Sequence, residues 1–339
     1  MAPASGYGNG DRETAYRVVK KQLSNIIQIA LPLALGIFLI WYTYTKFSPE
    51  QLRQLKQNFL KADYFYIWIS MFFGILSHFS RAYRWNYLLE PLGYRARIPN
   101  SFMAVSIGYL LNFAIPRSGE VSRAVVINKY DKVPFEKAFG TIVAERIADL
   151  FISVCILFIA FFLQFDTLWS LLNTHNINPE KLVILGIAGI LLAALFWIYL
   201  RRTRSAIGEK IKNFIKGLKE GVFSILSMKK KWAFIAHTLF IWLMYVLMFH
   251  ICIYAFPETQ SITFSQSLSL FVVGSFTIAF TNGGFGTYPF LIAEAILLYG
   301  VAYTVGTSFG WIVWLSQTAV IVFLGIMSFL LLPLYNKNN

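Results

Sequence analysis

The stretch "NFAIPRSGEVSR", Asn112 to Arg123, interrupts an apolar run, and its reading decides how the chain folds. A helix in hydrocarbon must satisfy its own backbone, and Pro, Gly, Glu and two Arg so close together prevent that. Pro116 lacks an amide donor and disfavours helical geometry at Ile115, while Gly119 permits the dihedrals of a tight reversal. The run before it, Phe102–Ile115, is also too short to span comfortably. Irregular backbone is tolerated at membrane depth where protein or a wet cavity surrounds it. The expectation is a re-entrant hairpin that enters the membrane, turns at Pro116 and Gly119, and leaves on the same side.

Composition supports a membrane setting. The chain has 339 residues, is 57% hydrophobic, and carries more aromatic (17%) than charged (14%) residues. Apolar runs recur over Ile26–Tyr44, Tyr64–Ser80, Phe102–Ile115, Phe139–Leu163, Leu182–Leu200, Trp232–Phe256, Phe264–Phe280, Tyr288–Tyr303 and Phe309–Leu332. These predict an all-α, polytopic integral membrane bundle of about seven to nine membrane segments, one or two of them re-entrant. Residues 1–24 read as a cytoplasmic tail, 25–335 as the membrane domain and 336–339 as a short C-terminal tail. The run Ile26–Tyr44 follows basic residues without a small-residue cleavage site, so it reads as a retained helix rather than a signal peptide.

The formal charge of +14 is concentrated beside membrane segments, especially in 201–231. That placement marks a cytoplasmic membrane face and argues against nucleic-acid binding. Within the block, Ile207, Ile211, Phe214, Leu218, Val222 and Ile225 recur at helical spacing opposite lysines, as in an amphipathic helix on an anionic leaflet. Arg12, Arg17, Lys20 and Lys21 place the N-terminus in the cytoplasm, and the loop Asp166–Glu180, without Lys or Arg, on the other side. With those sides fixed, Phe102–Ile115 must begin and end inside, which again calls for a hairpin. Cys155 and Cys252 show no metal or redox spacing, so no metal and no cofactor are expected.

A second interruption, "FTNGGFGTYP", lies at Phe280–Pro289. Gly283, Gly284 and Gly286 allow an irregular turn, and Pro289 suits the first turn of a following helix. Ser101 and Ser267, and Gly108 and Gly274, coincide at one fixed offset. Two identities are more readily a chance match than a repeat. Broken segments at corresponding places in two halves are nonetheless what inverted-repeat transporters have around their substrate site.

Charged residues in the apolar runs are the candidate binding groups. Glu145 and Asp149 share a helical face in "VAERIADLF", with Arg146 within reach of Asp149. An ion-pair network closing on Arg117 or Arg123 explains them as well as a lipid-phosphate site does. Arg81 and Arg84 leave the end of a helix beside an apolar face, and one of them, Arg84 in the candidate set, suits an inward phosphate clamp. Arg95 and Arg97 read as an interfacial belt. Glu294, inside a short apolar helix, must be protonated or paired, with an arginine of the first break as the expected partner. His78, His237 and His250 read as structural. Nucleotide-binding loops, catalytic triads and paired metal-spaced histidines are not found.

Four motifs, "RAYRWNYLLEPLG", "SIGYLLNFAIPRSGEVSRAVVINK", "FGTIVAERIADL" and "NGGFGTYPFLIAEAILLYG", resemble the flippase-like transmembrane region of lysylphosphatidylglycerol synthases. The resemblance runs from about residue 70 to the C-terminus. It implies a multi-pass protein of the bacterial or archaeal cytoplasmic membrane that moves polar lipids between leaflets. On the family pattern, Pro116, Arg117, Gly119, Glu120 and Arg123 match the first motif, and Glu145, Arg146 and Asp149 the second. Gly283, Gly284 and Gly286 match the late glycine motif. Asn282 stands where family members commonly have Pro, and Pro289 where many carry Glu, a role Glu294 takes over only if geometry allows. The aminoacyl-transferase domain of full-length synthases is not seen, so lysyl transfer is not expected and the expectation is a translocator rather than an enzyme. A membrane-embedded enzyme with Glu120 and Asp149 as acid and base is the third reading, without a nucleophile or cofactor motif to accompany them. The partners expected are membrane phospholipids, anionic, otherwise polar or aminoacylated. The alternative is a non-transporting scaffold that presents a lipid to a separate glycosyl- or acyltransferase.

Overall fold

The computed structural model describes residues 30–31, 33–174, 228–281 and 283–337, with isolated positions 188, 191, 192, 195, 209 and 225. The N-terminal tail, most of the run Leu182–Leu200 and of the basic segment 201–231, and Asn282 lie outside the described residues. Among those described, all regular structure is helical. The helices are α1 (33–46), α2 (Pro49–Lys61), α3 (Tyr64–Leu89), α4 (Ile98–Ala114), α5 (Ser118–Asp131), α6 (Phe135–Leu163) and α7 (Phe165–Thr174). They continue as α8 (Lys231–Ile251), α9 (Phe264–Phe280), α10 (Thr287–Leu297) and α11 (Tyr303–Tyr335). Phe135–Leu163, Lys231–Ala255 and Tyr303–Tyr335 are each long and apolar enough to cross a membrane.

Local chemistry sets the ends. Ser48 and Gln51 form a capping box at α2, Thr263 and Gln266 another at α9, and the Asp63 side chain accepts the Phe65 amide at α3. Several boundaries differ from the hydropathy reading, α3 for one running on to Leu89 past the expected Ser80. Residues 165–174, expected as loop, form α7. The run Tyr288–Tyr303 stops at Leu297, where a turn with Gly300 at φ 78° ends it, and α11 starts at Tyr303.

The expected hairpin is present. α4 and α5 run antiparallel and close at the same end, where Arg97 Nε donates to Asp131 at 2.8 Å. Ile115, before the proline, is extended at φ −132° and ψ 112°. The left-handed residue of the turn is Arg117, at φ 65°, and not Gly119, which lies within α5. Gly119 serves close approach instead: a methyl there would overlap the Gly108 carbonyl and meet the Asn112 amide. The second break forms a matching hairpin of α9 and α10, with Gly283, Gly284 and Gly286 at φ 66°, 77° and 68°.

The two hairpins belong to an internal repeat. α4 and α9 have the same length, 17 residues, and Ser101 with Ser267 and Gly108 with Gly274 occupy the same positions along them. Both helices end on an extended residue, Ile115 or Thr281, and the helix after each break starts from a positive-φ cap, Arg117 or Gly286. The order α3–α4–α5–α6 is thus repeated by α8–α9–α10–α11. Packing is exchanged accordingly, with α4 against α11 and α9 against α6. α3 and α8 pack on each other antiparallel, since Ser70 reaches Met248 while Ser80 reaches His237. Antiparallel equivalents require a pseudo-twofold axis across the helices, so the repeat is inverted. The serine and glycine coincidences are therefore structural equivalences, which overturns the preference for chance.

Candidate functional site

The first repeat carries a knot of buried charge. Arg81 and Arg84 lie one turn apart on α3, Arg123 comes from α5, and Glu145 and Asp149 from one face of α6. Arg81 Nη1 donates to Glu145 Oε1 at 2.5 Å and to Asp149 Oδ2 at 2.7 Å. Arg84 Nη1 donates to Asp149 Oδ1 at 2.9 Å and to the Thr238 hydroxyl of α8 at 2.8 Å. Arg123 Nη2 closes on Glu145 Oε2 at 3.0 Å. All five side chains are buried. Aromatic faces complete the surroundings, with the Arg123 guanidinium 4.5 Å from the Trp85 ring and that of Arg84 5.2 Å from Phe234.

Beside the knot lies a second pair. Arg146 Nη2 donates to Glu120 Oε1 at 2.8 Å, and both side chains are partly exposed. The reach of Arg146 toward Asp149 expected from spacing is not used: Arg81 and Arg84 occupy Asp149, and Arg146 turns to the first hairpin. The knot also closes on Arg123 and not on Arg117. Arg117 stands exposed at the turn and makes no ion pair among the described residues. Around Arg81, Arg84, Arg123 and Arg146 there are three carboxylates, Glu120, Glu145 and Asp149. One positive charge is left over, and Arg117 adds another.

A cavity of about 810 Å³ opens next to this surplus, between the two breaks. Arg117, Glu120 and Arg146 line one side, and Phe280, Trp314 and Gln317 the other. The breaks meet at its wall: Trp314 Nε1 donates to the Gly283 carbonyl at 2.8 Å, and the rings of Phe113 and Trp314 are 6.2 Å apart. Tyr109 links cavity and knot. It lines the cavity, and its hydroxyl is 3.1 Å from that of Tyr245, which accepts from Arg81.

The structure brings Arg84, Arg117, Glu120, Arg123, Glu145, Arg146 and Asp149 into this one region. Glu294 is not among them. It is exposed on α10, and its side chain lies toward Tyr303 at the start of α11, because the helix turns it away from the first break. Arg84 does point inward, yet its fork is filled by Asp149 and Thr238 and does not reach the cavity. Arg81, Tyr109, Tyr245 and Trp314 are additions. Arg81 was visible as the residue one turn before Arg84. The tyrosines carry no sequence signal, since their pairing joins α4 to α8.

Two antiparallel halves, each with a broken helical hairpin, and a charged cavity between the breaks make up a polytopic, all-helical membrane bundle. The chain belongs to the family of the lysylphosphatidylglycerol synthase transmembrane region, whose profile matches residues 29–325. It is similar to a UPF0104 membrane protein of Methanocaldococcus jannaschii, at 32% identity over 87 residues covering 25% of this chain. The alignment spans 26% of that relative. No solved structure matches the chain significantly.

Proposed function

We propose that the protein is a lipid translocator of the cytoplasmic membrane, moving polar lipids past the cavity between its hairpins. The observation that carries this reading is the cavity itself, wide enough for a headgroup and walled by Arg117, Arg146 and Glu120 at a place where helices break. A headgroup dragged through hydrocarbon loses its hydration; guanidinium groups that replace those hydrogen bonds lower that cost. The buried knot has a supporting part. Its arginines are paired with Glu145 and Asp149, so it fixes α3, α5 and α6 and holds positive potential beside the cavity. Family membership supports a task with membrane lipids. In this reading the N-terminus is cytoplasmic.

The test is leaflet exchange of labelled anionic, zwitterionic and aminoacylated lipids in vesicles containing the purified protein. The expected result is exchange above empty vesicles, lost in an Arg117→Ala/Arg146→Gln variant that still folds. Binding of the lipids without exchange would instead identify a scaffold that presents lipid to a separate transferase.

A further inference from the structure

The two repeats are built alike but charged differently. Arg146 occupies in α6 the position of Trp314 in α11, Glu120 in α5 that of Pro289 in α10, and the cap Arg117 that of the cap Gly286. The knot follows the same rule, with Glu145 matched by Val313 and Arg123 by Ile292. All the charge of the site therefore comes from one repeat. The cavity takes both members of such pairs into its wall, Arg146 with Trp314 and Asn112 with Ile278. It sits on the pseudo-twofold axis, with a charged half from the first repeat and an uncharged, largely apolar half from the second.

An occupant complementary to both halves has an anionic head and an apolar body. The surplus positive charge selects the sign of the head, and a fork of donors at Arg146 with the guanidinium of Arg117, which makes no ion pair among the described residues, suits phosphate oxygens. Access fits an amphiphile as well. Ile115 and Phe280, beside the two breaks, are 52% and 78% exposed, so the rim of the cavity is apolar and faces acyl chains. We propose that the axis cavity binds one phosphodiester lipid in a fixed orientation, with its phosphate against Arg117 and Arg146 of the first repeat and its acyl chains against Trp314 and Ile278 of the second. The proposal rests on the lipid reading above for the nature of the occupant, and adds the headgroup chemistry and the division of labour between repeats.

The experiment uses the full chain in phosphatidylcholine nanodiscs with two trace phosphatidylglycerol probes, one carrying a diazirine on the headgroup and one on an acyl chain near the glycerol. Adducts are mapped by peptide mass spectrometry. Headgroup adducts are expected in 112–123 and at 146, and chain adducts in 275–284 and 314–321. Arg117→Ala, at an exposed residue without an ion pair among the described residues, should lower headgroup adducts about tenfold, the loss of one charge-assisted contact. Inorganic phosphate should fail to compete with the probes. Reversed labelling, equal labelling of both hairpins, an empty cavity, or competition by inorganic phosphate as strong as by lipid overturns the proposal. The outcome is separable from translocation: oriented labelling without leaflet exchange supports the site and removes the transport reading, while exchange with an unlabelled cavity does the reverse.

Discussion

Glu145 meets Arg81, Arg84 and Arg123 at once, in a place with no water-facing surface. Removing a buried partner leaves charge uncompensated, at a cost of about 3–5 kcal/mol. Glu145→Ala should therefore lower the thermal unfolding midpoint of the detergent-solubilised protein sharply, and Glu145→Gln should lower it nearly as much, since three guanidinium groups then share one carboxylate. Arg117→Ala should leave that midpoint unchanged while reducing lipid movement. A midpoint that falls with Arg117→Ala would mean the turn is structural after all. At this scale the sequence was informative about charge and silent about pairing. Arg117, Glu120, Arg123, Glu145, Arg146 and Asp149 stood out because ionisable groups are rare in apolar runs. Their partners did not, because Arg146 chooses Glu120 over the nearer-in-sequence Asp149 only once α5 is folded against α6. Glu294, equally conspicuous in sequence, lies away from the cluster for the same reason: the face a residue occupies is fixed by packing.

The hairpins depend on small residues where backbones touch. At Gly119 an added methyl collides with the Gly108 carbonyl, an atom of backbone that cannot swing aside. Gly119→Ala should therefore open the α4–α5 hairpin and lower the thermal unfolding midpoint of the detergent-solubilised protein. At Gly274 the nearest atoms belong to the Tyr288 ring. The equivalent change there, Gly274→Ala, should cost less, because a side chain can shift by a fraction of an ångström. Comparing the two midpoints tests this directly; a greater loss at Gly274 would contradict it. The position of both breaks was legible from clustered proline, glycine and polar residues, since such a cluster, unlike a single glycine, does not continue a helix in hydrocarbon without help. Which residue takes the left-handed conformation was not, because the turn places Arg117 there and uses Gly119 for contact.

Across the whole molecule, α4 follows the C-terminal end of α3 and α9 that of α8, and α3 and α8 are antiparallel. The two hairpins must therefore open to opposite sides of the membrane. With Cys155 and Cys252 replaced by serine, Lys132→Cys and Gln260→Cys should be labelled by an impermeant maleimide from opposite sides of oriented vesicles; labelling from the same side would refute the inversion. By itself the sequence determined the membrane class, the helical architecture, both breaks and the set of charged candidates, because each follows from how single residues behave in hydrocarbon. Only the tertiary structure decided that the halves are equivalent, since two identities in α4 and α9 are too few to mark a repeat whose signal lies in helix lengths, caps and exchanged packing. It also decided that the charge of one half faces the uncharged wall of the other across a cavity. That arrangement joins side chains far apart in the chain, and no local rule of spacing specifies it.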